Sequence, residues 1–200
     1  MEFIEGLGEY NCLYKFAIYG KSKTGKTHLA NRLKLYNDYS KFIDNKEKIR
    51  PTIGVDISIL CIRYKNKTIK IQLWDTSGAP IYESIITSYF KGSQAIILCY
   101  DAYERDSFNY IKNKISQISQ IQQTNNKAIC VLIRNKYDSK INENNVNIVS
   151  DEEVLEFADK NNLFFQHISC FEKNGNGIIN LIELILDKIF DKEENNNKNK

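Results

Sequence analysis

The segment Gly20-Lys21-Ser22-Lys23-Thr24-Gly25-Lys26-Thr27 constrains this chain more than any other. It fits G-x-x-x-x-G-K-[ST], a loop whose glycines let the backbone curl until its N–H groups converge on phosphate oxygens. An apolar run, Tyr14 to Tyr19, precedes it, and a helix-like run, Lys26 to Leu35, follows. A loop so placed adds the partial positive charge of a helix N-terminus to its own N–H groups. Lys26 would reach the terminal phosphates, and Thr27 would offer its hydroxyl to Mg²⁺. Strand, tight turn and helix in that order commit the chain to an α/β fold.

The rest of the pattern agrees. Ile57 to Tyr64 and Thr68 to Trp74 flank Lys65-Asn66-Lys67 and alternate polar with apolar residues, as a hairpin does. Ala95 to Tyr100 and Ala128 to Ile133 are almost wholly apolar, as expected of strands covered on both faces. Phe164 to Ile168 reads as the last strand. Helical spacing runs from Ser107 to Ile121, from Asp151 to Ala158 behind an N-capping Ser150, and from about Gly177 to Phe190. The expected architecture is a three-layer α/β sandwich, with a six-stranded, mostly parallel sheet flanked by about five helices. It would occupy residues 1–190, and the polar stretch 191–200 would be disordered.

Composition narrows the function by exclusion. The chain has 200 residues and a net charge of +3, with lysines scattered rather than blocked, so nothing points to nucleic acid. Its five cysteines, Cys12, Cys61, Cys99, Cys130 and Cys170, lack zinc-ligand spacing and read as small core residues in a reducing compartment. No apolar stretch is long enough to span a bilayer. The first residues have no signal-peptide pattern, and Glu2, not glycine, follows Met1.

Two further segments carry chemistry. Trp74-Asp75-Thr76-Ser77-Gly78 ends a strand; Asp75 can hold Mg²⁺ through water, and the Gly78 N–H can face a terminal phosphate. Asn135-Lys136-Tyr137-Asp138 follows another strand. A carboxylate at Asp138 accepts hydrogen bonds from the N1–H and exocyclic amine of guanine, an edge that adenine lacks. The Lys136 stem would pack along the base. A P-loop ATPase or kinase is disfavoured by this segment.

P-loop, then Thr52, then Asp-x-x-Gly, then Asn-Lys-x-Asp resembles the signature of the small GTPases of the Ras superfamily, across about Tyr14 to Phe190. Ile53-Gly54-Val55-Asp56, Lys70-Ile71-Gln72-Leu73-Trp74-Asp75-Thr76, Tyr89-Phe90-Lys91-Gly92 and Ile97-Leu98-Cys99-Tyr100-Asp101 are most similar to the Rab branch. The resemblance implies a G domain that binds GTP and GDP with Mg²⁺ and switches partners in membrane traffic. Nucleotide contacts would come from Gly20, Ser22, Lys23, Thr24, Gly25, Lys26, Thr27 and His28. Thr52, Asn135, Lys136, Asp138, Ser169, Cys170 and Phe171 would complete the set. Thr27, Thr52 and Asp75 would serve the metal, with Thr52 joining only when GTP is bound. Lys26, Thr52 and Gly78 would act in catalysis, with Lys23 as a further candidate. Effectors, exchange factors and GTPase-activating proteins would meet the switches and the trio Ile57, Trp74 and Tyr89, although these three also suit ordinary sheet positions. A cytoplasmic monomer, peripheral at most on an endomembrane, is expected.

The chain departs from the family at several points. Ala79 stands where the family has the glutamine that orients the attacking water, and Pro80 stiffens the segment beside it. Slow hydrolysis is therefore expected, and a GTP-binding scaffold without catalysis is the alternative. Lys23 stands where most members have glycine, either as a solvated side chain or as a cation supplied in cis to the phosphates. Thr27 to Thr52 is several residues longer than in the family, which suggests a partner surface or disorder. The aromatic that covers the base is then ambiguous between Tyr39 and Phe42. Ser169-Cys170-Phe171 occupies the place of a Ser-Ala-Lys loop; the Cys170 N–H can still reach the guanine oxygen, while Phe171 removes a bracing lysine. The tail has no cysteine to prenylate, so either the sequence is truncated or membranes would be reached only through partners.

Overall fold

Strand β2 (Cys12–Tyr19) sits centrally in the sheet, and its alternating side chains divide the protein into two cores. Phe16 and Ile18 face α1 (Lys26–Lys34) and α6 (Asn176–Lys198), where they meet Leu29, Leu33, Ile178, Leu181, Ile182 and Ile185. Ala17 and Tyr19 face the opposite layer. There α3 (Glu83–Tyr89), α4 (Arg105–Thr124) and α5 (Asp151–Lys160) contribute Ile86, Phe108, Ile111, Val154 and Ala158. The result is a three-layer sandwich, seen in a computed structural model that describes residues 1–4, 8–45, 48–124, 128–136 and 148–198.

The other strands are β1 (Glu2–Ile4), β3 (Val55–Tyr64), β4 (Lys67–Thr76), β5 (Ala95–Asp101), β6 (Ile129–Asn135) and β7 (Phe164–His167). They are ordered β1-β3-β4-β2-β5-β6-β7, with β1 and β3 antiparallel to their neighbours and the remaining pairs parallel. Strand β5 is buried along its whole length, as a central parallel strand covered on both faces must be. The β3–β4 hairpin turns on only Lys65 and Asn66, both at positive φ (46° and 61°), the pair of left-handed residues that a tight two-residue turn needs. Ser150 caps α5 as expected, its hydroxyl accepting from the Glu153 N–H.

The described residues hold seven strands and six α-helices, one more of each than the sequence suggested. Strand β1 is too short to show a period; tertiary pairing makes it, through the register Glu2↔Arg63, Phe3↔Ile62 and Ile4↔Cys61. Phe3 then stacks on Tyr36 at 4.4 Å, and the Asn37 side-chain amide donates to the Phe3 carbonyl. The lengthened segment after α1 is not a structureless loop. It contains α2 (Tyr39–Asn45), which buries Phe42 in the core. Helix α6 runs to Lys198, beyond the expected end at Phe190 and into the stretch expected to be disordered. Its extension is held at the sheet by Tyr14, whose hydroxyl donates to Glu193 at 2.9 Å.

The Phe3 ring is the apolar anchor of strand β1. Phe3→Ala should lower the opening free energy of this edge by roughly 1–2 kcal/mol, the scale of a partly buried aromatic. Hydrogen exchange should accelerate at Cys61 to Arg63 and leave β2, β5 and β6 protected; uniform acceleration across the sheet would contradict the local role.

Candidate nucleotide site

The P-loop, the Asp75–Gly78 segment and Asn135–Lys136 emerge at the carboxyl ends of β2, β4 and β6, and Thr52 precedes the antiparallel β3 at the same edge, where open α/β sheets hold ligands. A cavity of about 340 Å³ lies there, lined by Ser22, Lys23, Gly25, Lys26, Thr27, His28, Thr52, Ser77, Gly78, Ala79 and Lys136. A larger one, about 480 Å³, lies at the amino ends of β5 and β6 and contains none of the signature residues. The chemistry favours the smaller.

The P-loop is fixed from below. Asn135 donates from Nδ2 to the Thr24 carbonyl at 2.8 Å, and Cys99 donates from Sγ to the same oxygen at 3.3 Å. Gly25 lies at φ 90° directly over Asn135, and a Cβ there would sit 2.2 Å from Asn135 Nδ2. Thr24 is buried, its hydroxyl closing the loop on the Lys21 carbonyl at 3.0 Å. Lys26 is buried too, its ammonium donating to the Lys21 carbonyl at 2.8 Å. Burial pushes its pKa down, because the charge has left water. An anion at the loop would restore that charge.

Beside it the hydroxyls of Thr27 and Thr52 lie 2.9 Å apart and both donate to Asp75 Oδ2, at 2.7 and 2.9 Å. The other carboxylate oxygen, Oδ1, is buried with no hydrogen-bond partner. Burial raises the Asp75 pKa, and the two hydroxyls oppose that rise. Three hard oxygen donors and an orphaned carboxylate oxygen suit a small divalent cation such as Mg²⁺. Among the described residues no cluster of three His, Cys, Asp or Glu side chains offers another metal site.

Lys23 and Lys21 differ. Lys21 pairs with Glu104 at 2.7 Å. Lys23 is exposed at the mouth of the loop and sits at φ 69°, a left-handed backbone that costs a side-chain-bearing residue about 1–2 kcal/mol. Gly78 closes over the loop: its carbonyl accepts from the Ser22 N–H at 3.1 Å. Ala79 follows in extended backbone, and Pro80 opens a single 3-10 turn, Pro80–Tyr82.

Across the loop, Lys136 bonds Asp101 through its ammonium at 2.5 Å, so that its stem passes beside Gly25. Tyr137 and Asp138 lie outside the described residues. Cys170 is buried and donates from Sγ to Asn135 Oδ1 at 3.4 Å, which brings the loop of Ser169, Cys170 and Phe171 to the same place. Phe171 is 42% exposed, with its ring 5.5 Å from the ring of His28 and 5.5 Å from that of Phe42. Of the two aromatics weighed for covering the base, Phe42 is in the core and removed from contention. Tyr39 donates its hydroxyl to the Phe171 carbonyl at 2.6 Å. The trio also assembles: Ile57 and Trp74 are cross-strand partners, and Trp74 lies 5.9 Å from Tyr89.

A profile described as the Ras family matches residues 15–191. The Ras-related protein RABA1h of Arabidopsis thaliana is 30% identical over 82% of this chain and 69% of its own. The GTP-binding protein YPT1 of Saccharomyces cerevisiae is 32% identical over 82% and 73%. The Ras-related protein RabC of Dictyostelium discoideum is 31% identical over 90% and 86%. The chain belongs to the Ras family. Within it, this protein is a divergent Rab-like small GTPase.

Two contacts of this Rab-like site gave no signal in the sequence. Cys99 read as a core residue of a strand, and its bond to Thr24 depends on which face of β5 meets the loop. Arg32 was not singled out in the sequence; it is buried and donates to the Lys173 carbonyl of the 169–175 loop. The crowding at Gly25 gives a direct test. Gly25→Ala should destabilise the protein by roughly 1–3 kcal/mol through strain and displacement of Asn135, measured as a fall in melting temperature. Guanine-nucleotide affinity should fall with it; an unchanged melting temperature would show that the loop yields freely.

Proposed function

We propose that this protein is a Rab-type switch in vesicle traffic that binds GTP and GDP with Mg²⁺ and hydrolyses GTP slowly. The observation that carries the reading is the meeting of Thr27, Thr52 and Asp75 oxygens beside the buried Lys26 ammonium on the P-loop. Thr27 and Asp75 would hold the metal in both nucleotide states and Thr52 only with GTP. Bound there, Mg²⁺ would neutralise charge on the β- and γ-phosphates. Lys26 would bind the same phosphates, and the P-loop N–H groups would orient them. Asn135 would hold the loop in shape while Lys136 and Asp138 select guanine.

The reading is tested by the nucleotide that co-purifies and by competition. Asp138→Asn should shift preference from GTP toward xanthosine triphosphate, whose base edge has the opposite hydrogen-bond polarity. ATP competing as well as GTP against labelled GDP would overturn the assignment.

Hydrolysis should be slow because Ala79 has no polar group to place water. Ala79→Gln should raise the single-turnover rate, by up to the roughly hundredfold that one positioning donor supplies elsewhere. Lys23→Gly separates the two readings of that lysine. Relief of the left-handed strain should stabilise the fold by about 1 kcal/mol. If the ammonium acts on the phosphates in cis, the hydrolysis rate should fall at the same time; an unchanged rate makes Lys23 a solvated loop residue.

Partners are proposed at the switches and at Ile57, Trp74 and Tyr89. Ile53, next to Thr52, and Ile81, three residues after Gly78, are 80% and 81% exposed. No described helix is long and apolar enough to cross a membrane. Peripheral association through partners is the reading kept for localisation.

A further inference from the structure

Arg32 is 1% exposed and, among the described residues, forms no ion pair with any carboxylate. A guanidinium buried without a counter-ion is expensive to maintain. Its surroundings offset the cost in an unusual way. Nη1 donates to the Tyr36 carbonyl at 3.1 Å and Nη2 to the Lys173 carbonyl at 3.4 Å, while Nε has no partner. The rings of Tyr36, Tyr39 and Phe42 surround it at 5.2, 5.1 and 5.7 Å, within cation–π range. Gly175 leaves the space it fills: a Cβ there would meet Nη2 at 2.8 Å.

These partners belong to three separate stretches of chain. Arg32 is in α1, directly behind the P-loop. Tyr36, Tyr39 and Phe42 belong to the lengthened segment before Thr52. Lys173 and Gly175 belong to the loop that carries Cys170 and Phe171. The junction continues outward, because Tyr39 holds the Phe171 carbonyl at 2.6 Å and Phe42 lies under the Phe171 ring. Phe171 thus stands where it does because α2 is docked, and α2 is docked around Arg32.

We infer that Arg32 is a positioning residue for the base side of the nucleotide site, locking α2 against the 169–175 loop and so setting how long a guanine nucleotide stays bound. The inference rests on the proposed guanine-nucleotide reading. Its action is on the base-side wall and not on the metal, since none of its contacts involves Thr27, Thr52 or Asp75.

The test uses the full chain loaded with a fluorescent GDP analogue and chased with excess GDP. Arg32→Met keeps an unbranched apolar stem inside the rings and removes both carbonyl contacts. It should speed GDP release about tenfold or more, the scale of a lost charge-assisted hydrogen bond. The ratio of release rates in EDTA and in Mg²⁺ should stay that of the parent, whereas Thr27→Asn should change it. Tyr39→Phe removes only the hydroxyl and should also speed release. The double variant should release no faster than the faster single variant, because both act through one junction. Tyr14→Phe, which breaks a hydrogen bond to α6 at the far end of the sheet, should lower the melting temperature without altering release. Unchanged release in Arg32→Met, or rate effects that multiply in the double variant, would overturn the inference. If Arg32→Met does not fold, Arg32→Lys and Tyr39→Phe make the same comparison, since an ammonium cannot span both carbonyls. A parent that binds no guanine nucleotide overturns the functional reading and this inference together; a parent that binds tightly, with variants that release at its rate, overturns this inference alone.

Discussion

The bond from Asn135 to the Thr24 carbonyl holds the rest of the site in place. It joins two loops that arise from different strands, and it works only because Gly25 has no side chain. The same asparagine accepts from Cys170, so one buried amide ties together the phosphate loop, the end of β6 and the loop after β7. Asn135 is itself 1% exposed. A buried amide so fully used cannot shift without leaving a polar group unpaired, at a cost of roughly 1–3 kcal/mol. The P-loop and the loops after β6 and β7 therefore have a fixed relation before any ligand is considered.

Around this frame the site concentrates charges that the protein alone does not neutralise well. Lys26 is buried against a carbonyl, and Asp75 keeps one oxygen without a donor. Burial disfavours both charges, lowering one pKa and raising the other. A phosphate group beside Lys26 and a divalent cation beside Asp75 would reverse both penalties together. Fold stability should thus be linked to ligand, as for any protein whose folded form alone binds it. Arg32 follows a different rule. Its charge is met by carbonyls and ring faces, which marks it as part of the framework.

How much of this was legible in the sequence depends on the range of the interaction involved. The loop from Gly20 to Thr27, the hairpin, the buried strands and the Ser150 cap are local patterns, and each lies within a residue or two of where periodicity puts it. Strand β1 and helix α2 are not local. Three residues become a strand because Phe3 finds Tyr36, and a polar segment becomes a helix because Phe42 finds the core. The end of α6 was misread for the same reason, as Tyr14 holds Glu193 from across the sheet. In the site, residue types were readable but contacts were not. Thr27, Thr52 and Asp75 could be grouped by motif, whereas the choice between Tyr39 and Phe42 required knowing which ring faces inward. Asp138 lies outside the described residues, so the guanine assignment still rests on its sequence context.

The connection between site and surface is short enough to give the proposed switch a physical form. Ile53 directly follows Thr52, and Ile81 lies three residues after Gly78; both are almost fully in solvent. The two segments are already joined by a backbone bond from the Ser77 N–H to the Gly54 carbonyl at 2.8 Å. A γ-phosphate that draws in Thr52 and the Gly78 N–H would pull on both ends of that bond. On the proposed reading the two isoleucines would move together, while Ile57 and Trp74 stay paired in the sheet. An apolar patch that is half fixed and half governed by the nucleotide is what a partner needs in order to distinguish two states. Ligand contacts bias it by no more than their difference between those states. Ala79 bonds the same Ser77, its N–H donating to the hydroxyl at 3.3 Å, so the residue proposed to slow hydrolysis is joined to the segment that would carry the switch.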